Sequence, residues 1–291
     1  MEFTGNIVAL VTPFRNGAVD AAALARLVDR VIAGGASGLV PCGTTGESPT
    51  LSHEEHDQVV ALTVDAARGR VPVIAGTGSN CTEEATRLTL AAAQHGASAV
   101  LSVTPYYNKP TQEGLFRHFV AIADRSPVPV VLYNIPGRCG VELSIETIGR
   151  LAEHPNIRAI KEATGNVENV TRLRLSTRLA VLCGDDSLTL PMLAMGATGV
   201  VSVLGNLLPL RMTELVRLGL GKDLTAARAL HDRLYPLMKA LFVESNPAPI
   251  KAALATLGLS SEDVRSPLCT LSAPSRELLL HAMQPFANEV R

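Results

Sequence analysis

The segment Ile157-Arg158-Ala159-Ile160-Lys161-Glu162-Ala163-Thr164 sets a lysine inside a short apolar run of strand length. The chain has five lysines, and the other four fall in loops or helical patterns. Lysine is a poor strand residue and is rarely buried unless its charge is handled. Apolar surroundings favour the neutral amine over the ammonium. A neutral amine attacks a ketone and forms a Schiff base. A lysine at an exposed strand end would have no such chemistry, and the segment alone fits both readings.

Other polar residues end similar runs. Gly43-Thr44-Thr45-Gly46-Glu47-Ser48 offers two hydroxyls and glycine-freed backbone N–H groups that could cradle a carboxylate, although as an isolated motif it also fits a plain polar loop. Thr104-Pro105-Tyr106-Tyr107-Asn108 and Leu132-Tyr133-Asn134-Ile135-Pro136-Gly137-Arg138 close two more runs. Three of the four tyrosines stand at these ends. Phenol groups pass protons, and an arginine clamps a carboxylate. Rim packing would explain any one tyrosine. It explains less well three tyrosines, two threonines, an arginine and a strand lysine that converge on one face.

The elements that must position these residues form an alternation. Apolar runs of strand length occur at Ile7–Phe14, Gly38–Gly43, Val71–Gly78, Ala99–Tyr106, Pro129–Pro136, Ile157–Thr164, Ala180–Asp186 and Gly199–Asn206. They are apolar on both faces, as parallel strands covered on both sides should be. Amphipathic segments such as Asp20–Ala33, Ser52–Arg68, Thr82–His95 and Thr111–Asp124 lie between them, and Ser52 with Glu55 forms a capping box. Eight such units predict an α/β chain folded as a (β/α)8 TIM barrel, whose active site lies at the C-terminal strand ends. An open doubly wound sheet would need a phosphate-binding turn after its first strand, and Thr12-Pro13-Phe14-Arg15-Asn16-Gly17 is not one. Asp223–Val243, Ala248–Leu257 and Ala273–Ala287 predict three further helices. Residues 1–222 are therefore expected to form the barrel with the site, and 223–291 a C-terminal helical appendage packed on it.

Composition narrows the function classes. The chain has 291 residues, is 47% hydrophobic and carries a formal net charge of −1. No basic stripe offers a footprint for nucleic acid. No run of apolar residues is long enough to span a membrane, and the first residues show no secretory signal. The five cysteines, at 42, 81, 139, 183 and 269, make no zinc spacing and read as reduced thiols of a cytoplasmic protein. His53 and His56, one helical turn apart, lack partners for a metal and read as a solvated helix face or a small-ligand contact. Gly76-Thr77-Gly78-Ser79-Asn80 lacks the third glycine of a dinucleotide fingerprint. Asp185-Asp186 reads as a helix cap rather than a metal site. Cys42 reads as a small core residue inside the second strand. No metal or organic cofactor is expected.

Gly43-Thr44-Thr45-Gly46-Glu47, Tyr133-Asn134-Ile135-Pro136-Gly137-Arg138 and Ile160-Lys161-Glu162-Ala163-Thr164-Gly165 resemble the signatures of the 4-hydroxy-tetrahydrodipicolinate synthase (dihydrodipicolinate synthase) family. The likeness spans essentially the whole chain, including Phe242-Val243-Glu244-Ser245-Asn246-Pro247-Ala248-Pro249-Ile250-Lys251. The pair Tyr133 and Lys161, 28 residues apart, resembles the wider pyruvate-dependent class I aldolases, and Thr44-Thr45, Tyr107 and Arg138 resemble the synthase branch. The resemblance implies a lyase that condenses pyruvate with L-aspartate 4-semialdehyde, a step toward diaminopimelate and lysine. It implies a homotetramer in which Lys161 forms the Schiff base. Tyr133 would pass protons through Thr44 to Tyr107 of a neighbouring subunit. Thr45 would hold the pyruvate carboxylate and Arg138 that of the semialdehyde, with Val203 also at the substrate. It further implies an allosteric site for L-lysine at Ser48, His53, His56, Asn80, Glu84 and Tyr106. One departure is Cys139, where the family usually has threonine. Two other readings compete. The first is a pyruvate aldolase acting on another aldehyde, against which Arg138 and Thr44 argue. The second is a silent sensor of pyruvate or an amino acid, which would need no proton relay.

Overall fold

The computed structural model describes residues 1–221 and 223–289. Eight parallel strands form its centre: β1 (Gly5–Ala9), β2 (Gly38–Val40), β3 (Ile74–Gly76), β4 (Ala99–Val103), β5 (Val130–Asn134), β6 (Ile157–Glu162), β7 (Ala180–Cys183) and β8 (Gly199–Ser202). Their order is β2-β1-β8-β7-β6-β5-β4-β3. A bridge between Leu39 and Val73 joins the two outer members, so the sheet closes into a barrel. The seam is tight: Gly76 N–H donates to the Pro41 carbonyl at 2.9 Å. A Cβ at Gly76 would stand 2.3 Å from the Cys42 carbonyl oxygen, which explains the glycine there.

The expected eight strands are all present, and each is shorter than its apolar run. The C-terminal part of several runs turns into rim loops. The first run ends in a two-stranded hairpin, Phe14–Arg15 with Ala18–Val19, through Asn16-Gly17 at positive φ. That dipeptide suits a tight primed turn. Cys42, expected inside β2, lies beyond the strand end with φ +54°, buried in the loop.

Two cores follow from strands apolar on both faces. Inside the barrel pack Ile7, Ala9, Val40, Ile74, Leu101, Val131 and their neighbours. Outside it, residues such as Val8, Leu39, Leu132 and Ile160 pack against the helices. These helices are α1 (Ala21–Ala33), α2 (His53–Ala67), α3 (Thr82–Gln94), α4 (Gln112–Arg125), α5 (Ile145–Ala152), α6 (Glu168–Ser176), α7 (Thr189–Ala194) and α8 (Pro209–Leu220). Ser52 and Glu55 complete the capping box of α2 as expected. After the barrel come α9 (Leu224–Ala240), α10 (Ala248–Thr256) and α11 (Ala273–Met283). Their buried Leu234, Leu237, Ala253, Leu254 and Leu279 belong to the same outer core, which packs this region onto the barrel. The domain boundary expected at residue 222 falls outside the described residues, as do residues 290 and 291.

Among the described residues no helix is long and apolar enough to cross a membrane.

Candidate active site

Side chains alternate along a strand, so β6 sends Ala159, Lys161 and Ala163 inward and Ile160 outward. Lys161 is 7% exposed. Register pairs it with Tyr133 on β5. Its Nζ sits 4.1 Å from the centre of the Tyr133 ring. Among the described residues Lys161 makes no ion pair. Gly184, just after β7, keeps this space open: a Cβ there would stand 2.6 Å from the Ala163 Cβ and 3.2 Å from the Lys161 Cε.

A cavity of about 350 Å3 opens beside this pair. Thr44, Tyr133 and Arg138 line it, together with Cys42 and Cys139. Arg138 stands on a helical turn, Pro136–Cys139, directly after β5 rather than on the strand end itself. Its Nη2 donates to the Asn246 carbonyl at 3.5 Å. Thr45 is buried, and its Oγ1 accepts from Asn246 Nδ2 at 3.0 Å. Cys139 is also buried, and burial pushes its thiol pKa up, away from the reactive thiolate. Val203 follows β8 at the barrel rim. Tyr107 does not join this group: it is 89% exposed, at φ +73°, and points away from its own chain.

Five of the six residues of the expected effector site share this cavity. Ser48, His53, His56, Glu84 and Tyr106 line it. Asn80 lies nearby, its carbonyl accepting from Asn108 at 2.9 Å. His53 Nε2 meets Glu84 Oε1 at 2.8 Å. Ser79 also donates to Glu84, and these two contacts hold the Glu84 carboxyl below its usual range. His56 is not on a solvated face. It is buried, Nε2 bonds the Gly76 carbonyl at 2.7 Å, and desolvation lowers its pKa.

Several supporting residues escaped the sequence reading. Glu162, next to Lys161, is buried and turned outward from the barrel interior. Its oxygens accept from Thr164 N–H at 2.9 Å and from Asn134 Nδ2 at 3.4 Å. Asn134 in turn pairs with the backbone of Leu143 through N–H and carbonyl, closing the loop that carries Arg138. Burial pushes the Glu162 carboxyl pKa up. Asp185 caps the turn after β7, accepting from Ser187 N–H at 2.8 Å, as expected. Asp186 does something else. It is buried and accepts from Val203 N–H at 3.0 Å and Leu204 N–H at 2.7 Å, which fixes the turn at Val203. Desolvation raises its pKa to about 6.

The largest omission is Lys251 on α10. It is fully buried, more so than Lys161, and pairs with the buried Glu47 of the Thr44-Thr45 loop. Lys251 also donates to the Asp263 carbonyl at 2.7 Å and lies 4.1 Å from the Phe14 ring centre. Glu47 takes a second bond from Arg265 N–H at 2.9 Å. Burial lowers the Lys251 pKa, and the adjacent Glu47 carboxylate opposes that shift. Its sequence signal was a single charge in an apolar run, Ala248-Pro249-Ile250-Lys251-Ala252-Ala253-Leu254, a cleaner one than that of Lys161, which has Arg158 and Glu162 beside it.

Comparison with known proteins bears on the chain and fold as a whole. The model of the dihydrodipicolinate synthetase family matches residues 2–285. A 4-hydroxy-tetrahydrodipicolinate synthase of Syntrophus aciditrophicus is 53% identical over 286 residues, covering 98% of either chain. The solved 4-hydroxy-tetrahydrodipicolinate synthase of Methylacidiphilum fumariolicum SolV superposes with a TM-score of 0.97 at 47% identity, covering 99% of this chain and 97% of that one. A lysine-bound structure of the enzyme from Cyanidioschyzon merolae gives a TM-score of 0.94 at 41% identity, covering 97% of each chain. With a buried lysine against a tyrosine in its barrel, and matched along nearly its whole length in sequence and in fold, the chain belongs to the dihydrodipicolinate synthetase family.

Proposed function

We propose that the protein is a 4-hydroxy-tetrahydrodipicolinate synthase, which condenses pyruvate with L-aspartate 4-semialdehyde on Lys161. The observation that carries this reading is the inward Lys161, unpaired and set against the Tyr133 ring at 4.1 Å, beside a cavity lined by Thr44 and Arg138. The Lys161 lone pair attacks the ketone carbon of pyruvate. Loss of water gives the imine, and loss of a methyl proton gives the enamine. The enamine carbon attacks the aldehyde of the semialdehyde. The amine of that substrate then attacks the imine carbon, closes the ring and releases Lys161. The balance is one pyruvate and one semialdehyde to one cyclic product and water. Tyr133 and Thr44 handle the protons, and Thr45 holds the pyruvate carboxylate. Val203 lies at the substrate, its turn fixed by Asp186.

Arg138 meets the carboxylate of the aldehyde substrate as a charge-assisted clamp. A coupled assay with pyruvate and L-aspartate 4-semialdehyde tests the reading as a whole, and steady turnover is the expected result. In Arg138→Ala, pyruvate is still trapped on the enzyme by borohydride while kcat/KM for the semialdehyde falls by about tenfold or more, the cost of one charged hydrogen-bond partner. Equal loss of both functions would assign Arg138 to structure instead.

The exposed Tyr107 suits a site shared between subunits, in which it enters the cavity of a neighbour in a homotetramer. Aromatic side chains are enriched in the cores of such interfaces. In the same cavity, the cluster of Ser48, His53, His56, Glu84 and Tyr106, with Asn80 nearby, is suited to an L-lysine effector. Glu84 supplies the charge for an ammonium group, and Asn80 and Tyr106 offer donors to a carboxylate. Titration of L-lysine into the assay is expected to inhibit, and Glu84→Thr to weaken that inhibition about five- to 150-fold in apparent affinity, the usual span of allosteric coupling. Activity that stays flat as lysine is added would remove this assignment and leave the catalytic one standing.

A further inference from the structure

The chain beyond the barrel reaches back over the site. Asn246 is 5% exposed and touches both side chains to which substrate carboxylates are assigned above. Its Nδ2 donates to Thr45 Oγ1 at 3.0 Å, and its carbonyl accepts from Arg138 Nη2 at 3.5 Å. The loop that carries Thr45 is held from several sides. Thr12 Oγ1 donates to the Gly46 carbonyl at 2.7 Å, and Glu47 is locked by Lys251 and Arg265. Thr45 thus has little freedom except rotation of its hydroxyl. A hydroxyl has one hydrogen to give and two positions at which to accept. An amide N–H from Asn246 fills one accepting position and cannot take the hydrogen. The hydrogen of Thr45 is left for a ligand.

We propose that Asn246 is a positioning residue for pyruvate recognition: its side-chain amide turns the Thr45 hydroxyl into a donor toward the pyruvate carboxylate, while its backbone carbonyl seats the Arg138 guanidinium beside it. This rests on the reading of Thr45 as the group that holds that carboxylate. The direction of the bond is the content of the inference. A carboxylate in place of the amide would only accept, and would draw the Thr45 hydrogen to itself.

The test is a double-mutant cycle with Asn246→Asp, Thr45→Val and the combination, read as KM for pyruvate and kcat at saturating pyruvate. Asn246→Asp is expected to raise KM for pyruvate about tenfold, the cost of losing one hydrogen bond to a charged group, with kcat changed far less. Thr45→Val is expected to raise KM similarly, and the double variant to be no worse than Thr45→Val alone, because the two residues act through one hydroxyl. If Asn246→Asp does not fold, Asn246→Ala takes its place in the cycle, with a smaller rise and the same lack of additivity. A raised KM in Thr45→Val with an unchanged KM in the Asn246 variant overturns the inference and leaves the role of Thr45 intact. So does full additivity. An unchanged KM in Thr45→Val overturns the role of Thr45 and the inference with it.

Discussion

Lys161→Arg is expected to leave the barrel folded and to lower turnover by about 10³-fold or more, the scale on which loss of a covalent nucleophile is felt. Lysine and arginine share a charge but not this chemistry. The guanidinium stays protonated and has no lone pair to offer a ketone. In this site the substitution removes the buried amine that sits against the Tyr133 ring. Lys161→Met, close in length and without charge, is expected to lose the same activity, which separates loss of the nucleophile from crowding by a larger head group. A circular dichroism spectrum like that of the parent would show that the loss is chemical. Turnover within tenfold of the parent in either variant would contradict the account.

The second large effect concerns stability. Lys251 and Glu47 form a fully buried ion pair between residues 204 positions apart. Taking two charges out of water is costly, and the pair offsets that cost only while both partners are present. Lys251→Met would leave the Glu47 carboxylate buried with the Arg265 N–H still donating to it. The expected loss is about 3–5 kcal/mol, typical for breaking a buried pair. Lys251→Met combined with Glu47→Gln removes both charges and should recover much of it. Urea unfolding at one fixed protein concentration measures this, since the stability of an oligomer depends on concentration. A single variant as stable as the parent, or a double variant weaker than the single, would mean that the pair does not act as a unit.

The contrast between these two lysines shows what could be read in advance. Each stands in a largely apolar run, and each is buried. What separates a nucleophile from a brace is the partner. Glu47 answers Lys251 across the fold, while Lys161 faces a tyrosine ring. Partners that distant leave no local pattern, so the roles of Lys251, Asn246 and Asp186 were hidden. The eight strands were legible because residues such as Val131 and Leu132 are apolar on both faces of β5. Their ends were not, because the apolar runs continue into rim loops: β2 stops at Val40, and Cys42 already has a left-handed backbone. Of the two readings of His56, the solvated face fails for a related reason. Its position on the first turn of α2 looked exposed, but the Gly76 carbonyl of a neighbouring strand end receives its ring.

The covalent role of Lys161 is tested most directly by incubating the protein with pyruvate and borohydride and mapping the modified peptide by mass spectrometry. The account predicts a reduced pyruvyl adduct on the peptide that contains Lys161, and none in Lys161→Arg. An adduct on Lys109 or Lys251 instead, or no adduct at all in a protein that turns over, would contradict it.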